Sequence, residues 1–106
     1  MDLQDFPWEA QPQETTGTYR FDGRFSATVT VMADLGEQVI AVIYMITQAL
    51  VKKQDGLDYI LAFKHKDTGV VVWFIDQLND EMKRDHYTPE QVAEYNVCTL
   101  CYPEER

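Results

Sequence analysis

Between Leu35 and Lys53 the apolar residues Leu35, Val39, Val42, Ile43, Ile46, Ala49 and Leu50 recur at three- and four-residue spacing. That period is a helix with one wide apolar face, which must be covered by something else. Asp34 and Glu37 form a D-x-x-E that resembles a capping box at its start. Lys52 and Lys53 put cations in its last turn, where the helix dipole favours them, and Asp55-Gly56 stops it. A chain of 106 residues supports one core, so the remaining elements must pack on this stripe.

Those elements read as strands. Phe25, Ala27, Val29 and Val31 alternate with Ser26, Thr28 and Thr30, the pattern of a half-buried strand. Leu57, Tyr59, Leu61 and Phe63 alternate in the same way. The turn Asp67-Thr68-Gly69 then leads into the continuous apolar run 70–75, so the two segments form a hairpin whose second strand is central. After an acidic connector, 76–87, Thr88-Pro89-Glu90-Gln91 carries a cap, a first-turn proline and a Gln three after the cap. These open a short helix, and Val97 to Tyr102 forms a last strand. The expected fold is α+β in the order β-α-β-β-α-β: one long and one short helix on an antiparallel sheet of about four strands, ferredoxin-like or a less regular two-layer sandwich. The acidic stretch 1–17 reads as a tail and 18–106 as the domain. Phe6 and Trp8, flanking Pro7, either tuck their rings against the domain or act as an anchor for a partner.

Charge narrows the function. Eighteen acidic residues against nine basic give a net charge of −9, which repels nucleic acid and anionic membrane and attracts basic surfaces. The basic clusters Lys52-Lys53 and Lys64-His65-Lys66 are too small for phosphate neutralisation. The N-terminus has no basic start or apolar run of a signal peptide. Together with a cysteine pair that reads as reduced, this makes the cytoplasm the expected compartment.

Both cysteines lie in one C-x-x-C, Cys98 and Cys101. On a strand, residues three apart point to opposite faces, so the two cannot pair or share a metal. Thr99-Leu100 is a poor turn for a zinc half-site, and no helix follows to activate a redox pair. A set of His65, His86, Cys98 and Cys101 would be the alternative, a small metal-binding module or enzyme, but its spacing matches no standard finger. No metal or cofactor is therefore expected. Asp76, Asp80, Glu81, Asp85 and His86 could supply acid–base groups, yet their interleaving with Lys83 and Arg84 is that of a solvated segment. Ser26 is the only serine, and no nucleophile elbow, phosphate loop or dinucleotide fingerprint is present. The expectation is that the chain is not an enzyme. Its many aromatics could suggest a base-stacking sheet, but the basic residues and glycine-aromatic motif of RNA-recognition modules are missing.

Residues 24–79 resemble a family of small uncharacterised proteins from phages and conjugative elements of Gram-positive bacteria. Those proteins look like R-[FY]-x-T, an amphipathic helix, D-Y-L-x-x-F and a strand ending in a Q-containing turn. The matching residues are Arg24-Phe25-Ser26-Ala27-Thr28, the helix at 35–53, Asp58-Tyr59-Ile60-Leu61-Ala62-Phe63 and Ile75-Asp76-Gln77. The threonine falls one position late, and the third motif reads D-Y-I-L-A-F. The resemblance implies a mobile-element origin and, with the acidity, a counter-defence protein of the anti-CRISPR kind, acting in the host cytoplasm. The expected function is a non-catalytic binding protein, an inhibitor, with mimicry of nucleic acid as one form of it. Its partner would be a protein with a basic surface, a nucleic-acid-handling enzyme, and not nucleic acid or membrane. Asp76, Asp80, Glu81, Asp85, Glu90 and Glu94 are the expected contact residues, with Phe6 and Trp8 as a second candidate contact. A housekeeping interaction domain is the third alternative, and a homodimer stays open.

Overall fold

A computed structural model describes residues 5–106. The elements are β1 (Trp8–Ala10), β2 (Arg24–Ala27), α1 (Val29–Leu35), α2 (Glu37–Gln54), β3 (Ile60–His65), β4 (Val71–Asp76), α3 (Asp80–Asp85), α4 (Pro89–Tyr95) and β5 (Val97–Cys101), followed by a 3-10 turn, Pro103–Glu105. The class is α+β, but the sheet differs from the expected four antiparallel strands. It has five, in the order β1-β3-β4-β5-β2. β2 runs parallel to β5 at one edge, and the other pairs are antiparallel. In a split βαβ unit one strand separates the two that the helix joins. Here β5 and β4 both lie between β2 and β3, so the order is not ferredoxin-like.

The fifth strand comes from the segment read as a tail. Trp8 lies opposite His65 and Ala10 opposite Phe63, and Gln11 N–H donates to the Ala62 carbonyl at 2.8 Å. Gln13 continues the edge with its side chain, donating to the Ile60 carbonyl at 2.7 Å and accepting from Asp58 N–H at 3.1 Å. Residues 1–4 of that expected tail lie outside the described residues.

The expected strand 25–31 also ends early. Thr28 is extended and its hydroxyl accepts from Val31 N–H, which makes it the N-cap of α1. Alternating β-branched residues over 28–31 look like a strand, yet Val31 is fully buried and Val29 is 86% exposed, so a cap and one buried contact override propensity. Gly36 then adopts φ +83°, a conformation that L side chains resist, and the chain turns by 104° into α2. Asp34 therefore does not cap the long helix. Its carboxylate accepts the Tyr102 hydroxyl at 2.6 Å instead. The expected cap at Thr88 forms in full, with both bonds of the Thr88–Gln91 capping box present.

One sheet face is the core. Leu61, Phe63, Val72, Phe74 and Leu100 are buried there with Ile40, Ile43 and Val51 of α2. Phe25 stacks edge-on against Phe74 at 5.4 Å and against Tyr44 of α2 at 5.5 Å, which fixes the helix over this face. Phe6 and Trp8 belong to the same core, at 1% and 8% exposure. The opposite face presents Ile60, Ala62, Trp73, Ile75 and Thr99, all half-buried, with no long helix over them. Among the described residues no single helix is long and apolar enough to cross a membrane.

Within the α2 stripe the structure separates residues that periodicity treats alike: Ile43 is fully buried while Ile46 is only half-buried. Ile43→Ala should cost ~2–5 kcal/mol, as buried aliphatic truncations do, and Ile46→Ala clearly less. Equal losses in denaturant unfolding would contradict this placement of α2.

Candidate functional site

The uncovered sheet face, α4 and the last turn enclose a cleft of about 780 Å³. Its chemistry is dominated by tyrosine: Tyr19, Tyr59, Tyr87 and Tyr95 line it with Ile75, Thr99, Cys101 and Arg106. Tyr19 is held by backbone bridges to Leu57 and Asn79, which brings it to 6.0 Å from the Tyr59 ring just before β3. Tyr87 precedes α4 and Tyr95 is its last residue, and their rings meet at 6.2 Å. The Arg106 guanidinium lies over the Tyr59 ring, 5.3 Å from its centre. Its segment is pinned by Glu105, whose carboxylate accepts from the hydroxyls of Thr28 and Thr30 and from Tyr102 N–H. Burial, and then Asp58, Asp76, Tyr59 and Glu81, raise the pKa of Tyr19, so a negative field reaches the cleft wall.

The six acidic residues expected on one exposed face divide into three groups. Asp76 leaves the face altogether: it is 1% exposed and ends β4 with alternation that turns it toward the core. One of its oxygens accepts Phe21 N–H at 2.9 Å, and the other, Oδ1, has no partner among the described residues. Asp80, Glu81 and Asp85 lie on α3 but are engaged. Asp80 accepts both Nε and Nη2 of Arg20 at 3.0 and 2.9 Å, Glu81 accepts the Thr18 hydroxyl, and Asp85 pairs with Arg84 at 3.0 Å. The Thr18 bond holds the Glu81 carboxyl below its usual pKa, and the Arg84 bond does the same for Asp85. Glu90 and Glu94 stand exposed on α4.

The other candidates are resolved by burial. Phe6 and Trp8 are core residues, Trp8 meeting His65 edge-on at 5.0 Å, so their rings are not presented to a partner. Cys98 and Cys101 are both buried thiols and face opposite sides of β5. Cys98 joins the core while Cys101 lines the cleft. Burial pushes the Cys98 thiol up to about 12, with Asp76 and Asp22 adding to the shift, and a thiol held neutral is a poor nucleophile and ligand. His65 Nδ1 accepts the N–H groups of Asp67 and Thr68 in the hairpin turn, and His86 caps the end of α3. Among the described residues, no three His, Cys, Asp or Glu side chains are grouped to hold a metal ion.

The tyrosine cleft itself is not anticipated by the sequence. Its four rings come from three separate segments with no common period, and only Tyr59, one residue before β3, falls within a pattern. Comparisons with family models, curated proteins and solved structures gave no match.

Asp76 provides a test of the site's electrostatics. Burial raises its pKa, against the Phe21 N–H bond and the nearby Lys83 that lower it. A folded value above the unfolded one, about 3.9, means that protonation stabilises the fold. That contribution is complete below the unfolded value and is lost as pH rises through the folded one. Asp76→Asn keeps an acceptor for Phe21 and removes the charge, so relative to the parent chain its stability should rise between acid and neutral pH. Urea unfolding across pH 3–7 checks this, and a difference that does not vary with pH would contradict it.

Proposed function

We propose that the chain is a non-catalytic acidic binding protein that docks on the basic surface of a nucleic-acid-handling protein and competes there with nucleic acid. The observation that supports this reading is the uncompensated charge on α3, α4 and the last turn. Every cation of this region is engaged: Lys83 by Asp22 at 2.9 Å, Arg84 by Asp85 at 3.0 Å, and Arg106 by Tyr59. Glu81, Glu90, Glu94, Glu104 and Glu105 are exposed and belong to none of the ion pairs of the described residues. Exposed carboxylates outside ion pairs project a negative potential, which steers a basic partner and opposes the binding of phosphates. The counter-defence role implied by the resemblance of residues 24–79 is one instance of this reading, with the basic groove of a nuclease as the docking surface.

Asp80 is unsuitable for charge reversal, because its loss would release Arg20 and with it the segment that carries Tyr19. Glu90→Lys, Glu94→Lys and Glu104→Lys reverse the field and touch no ion pair of the described residues. Proteins captured on the immobilised chain should elute as salt rises through about 0.1 M, where the screening length is ~10 Å, and should be displaced by DNA or RNA. The triple variant should capture none of them. Capture that survives salt, competitor and charge reversal alike would overturn the reading.

A further inference from the structure

We propose that the tyrosine cleft receives an arginine side chain of the protein partner, and that Arg106 occupies this position in the free chain. The inference rests on the proposed binding function and names the group recognised. Arg106 is the observation that points to it. Its guanidinium lies 5.3 Å from the Tyr59 ring centre, within the ~6 Å over which a cation is attracted to an aromatic face. It takes part in none of the ion pairs of the described residues, and the Tyr59 ring is the contact that its guanidinium makes. Arg106 N–H adds only a long bond, 3.4 Å, to the Pro103 carbonyl. A contact of this kind is weak at an exposed site, and a competing arginine can replace it.

The cleft is larger than one side chain needs. At about 780 Å³ it falls within the ~300–1,000 Å³ typical of ligand pockets, with room for a short segment of chain around the arginine. Tyr19 and Tyr59 meet at an interplanar angle of 50°, forming a corner of two aromatic surfaces, and Tyr87 and Tyr95 form a second such pair at 59°. A planar, weakly hydrated guanidinium stacks on such surfaces better than the compact, strongly hydrated ammonium of lysine. Glu105 lines the cleft, and burial and then nearby charges, Asp58 first among them, raise the Tyr19 pKa. Anionic and aromatic groups together select a cationic, flat ligand, which matches the basic partner required by the charge of the chain.

The test uses the full chain and three acetylated, amidated tripeptides, Gly-Arg-Gly and its lysine and citrulline counterparts, with binding read from the tyrosine ring signals in NMR titrations. The arginine peptide should shift Tyr59 and Tyr19, the lysine peptide should bind more weakly, and neutral citrulline should not bind. Arg106→Gln should tighten the arginine peptide about two- to fivefold, the gain expected when an exposed cation–π competitor is removed. Tyr59→Leu should abolish binding, while Tyr59→Phe, which keeps the ring, should retain it and shows that position 59 tolerates change. Equal binding of arginine and citrulline peptides, or no effect of Arg106→Gln, would overturn the proposal. If neither peptide binds but salt-sensitive capture persists, the arginine site fails alone. If the arginine peptide binds but capture is indifferent to salt and charge reversal, the cleft stands and the electrostatic docking reading fails.

Discussion

The hydrogen bond between the buried Asp76 carboxylate and Phe21 N–H organises the molecule. A carboxylate 1% exposed at the end of a central strand is costly unless satisfied, and Phe21 satisfies half of it. Phe21 in turn adopts φ +50°, a left-handed conformation that costs a non-glycine residue roughly 1–2 kcal/mol. It is held there from both sides, because its carbonyl accepts the Gln48 side chain of α2 and its ring sits 5.0 Å from Phe74. The strained residue is thus clamped between the sheet and the long helix.

From that clamp the neighbouring residues radiate. Arg20 links Asp55, at the end of α2, to Asp80, at the start of α3. Asp22 accepts from Lys83 on α3 and from Asn96 at the end of α4. Burial works against the Asp22 charge, but these two bonds outweigh it and hold its carboxyl low. Gly23 is pressed so closely on Asn96 that a Cβ would lie 2.0 Å from the Asn96 carbonyl oxygen, which leaves no room for another residue. A segment without regular structure therefore joins four elements and delivers Tyr19 to the cleft wall.

This arrangement also explains why the two sheet faces differ. The stripe on α2 is long enough to cover one face, and that face is the core. The short helices α3 and α4 are tied down through Asp22, Arg20 and Asn96 at the strand ends, so they rim the other face and do not cover it. What they leave uncovered is apolar at its floor, aromatic at its walls and acidic at its rim. That combination suits a surface that meets another molecule, since amphipathic tyrosine supplies contact area at low entropic cost.

Much of the secondary structure was determined locally. The α2 stripe, the Asp67-Thr68-Gly69 hairpin, the Thr88–Gln91 box and the divergence of Cys98 from Cys101 all depend on residues a few positions apart, and each is legible in the sequence. Three features were not, because each depends on a partner distant in the chain. Residues 8–10 resemble a tail until β3 offers an unpaired edge. The β-branched run 28–31 becomes helical because Thr28 caps it and Val31 finds the core. Asp76 looks like one of many surface acids, yet its register opposite Cys98 and its bond to Phe21, 55 residues earlier, place it inside. The same holds for the candidate site: total charge and the count of tyrosines are properties of composition. Which carboxylates keep their charge exposed, and that four tyrosines from separate segments face one cleft, were decided only when tertiary contacts consumed some charges and left others in solvent.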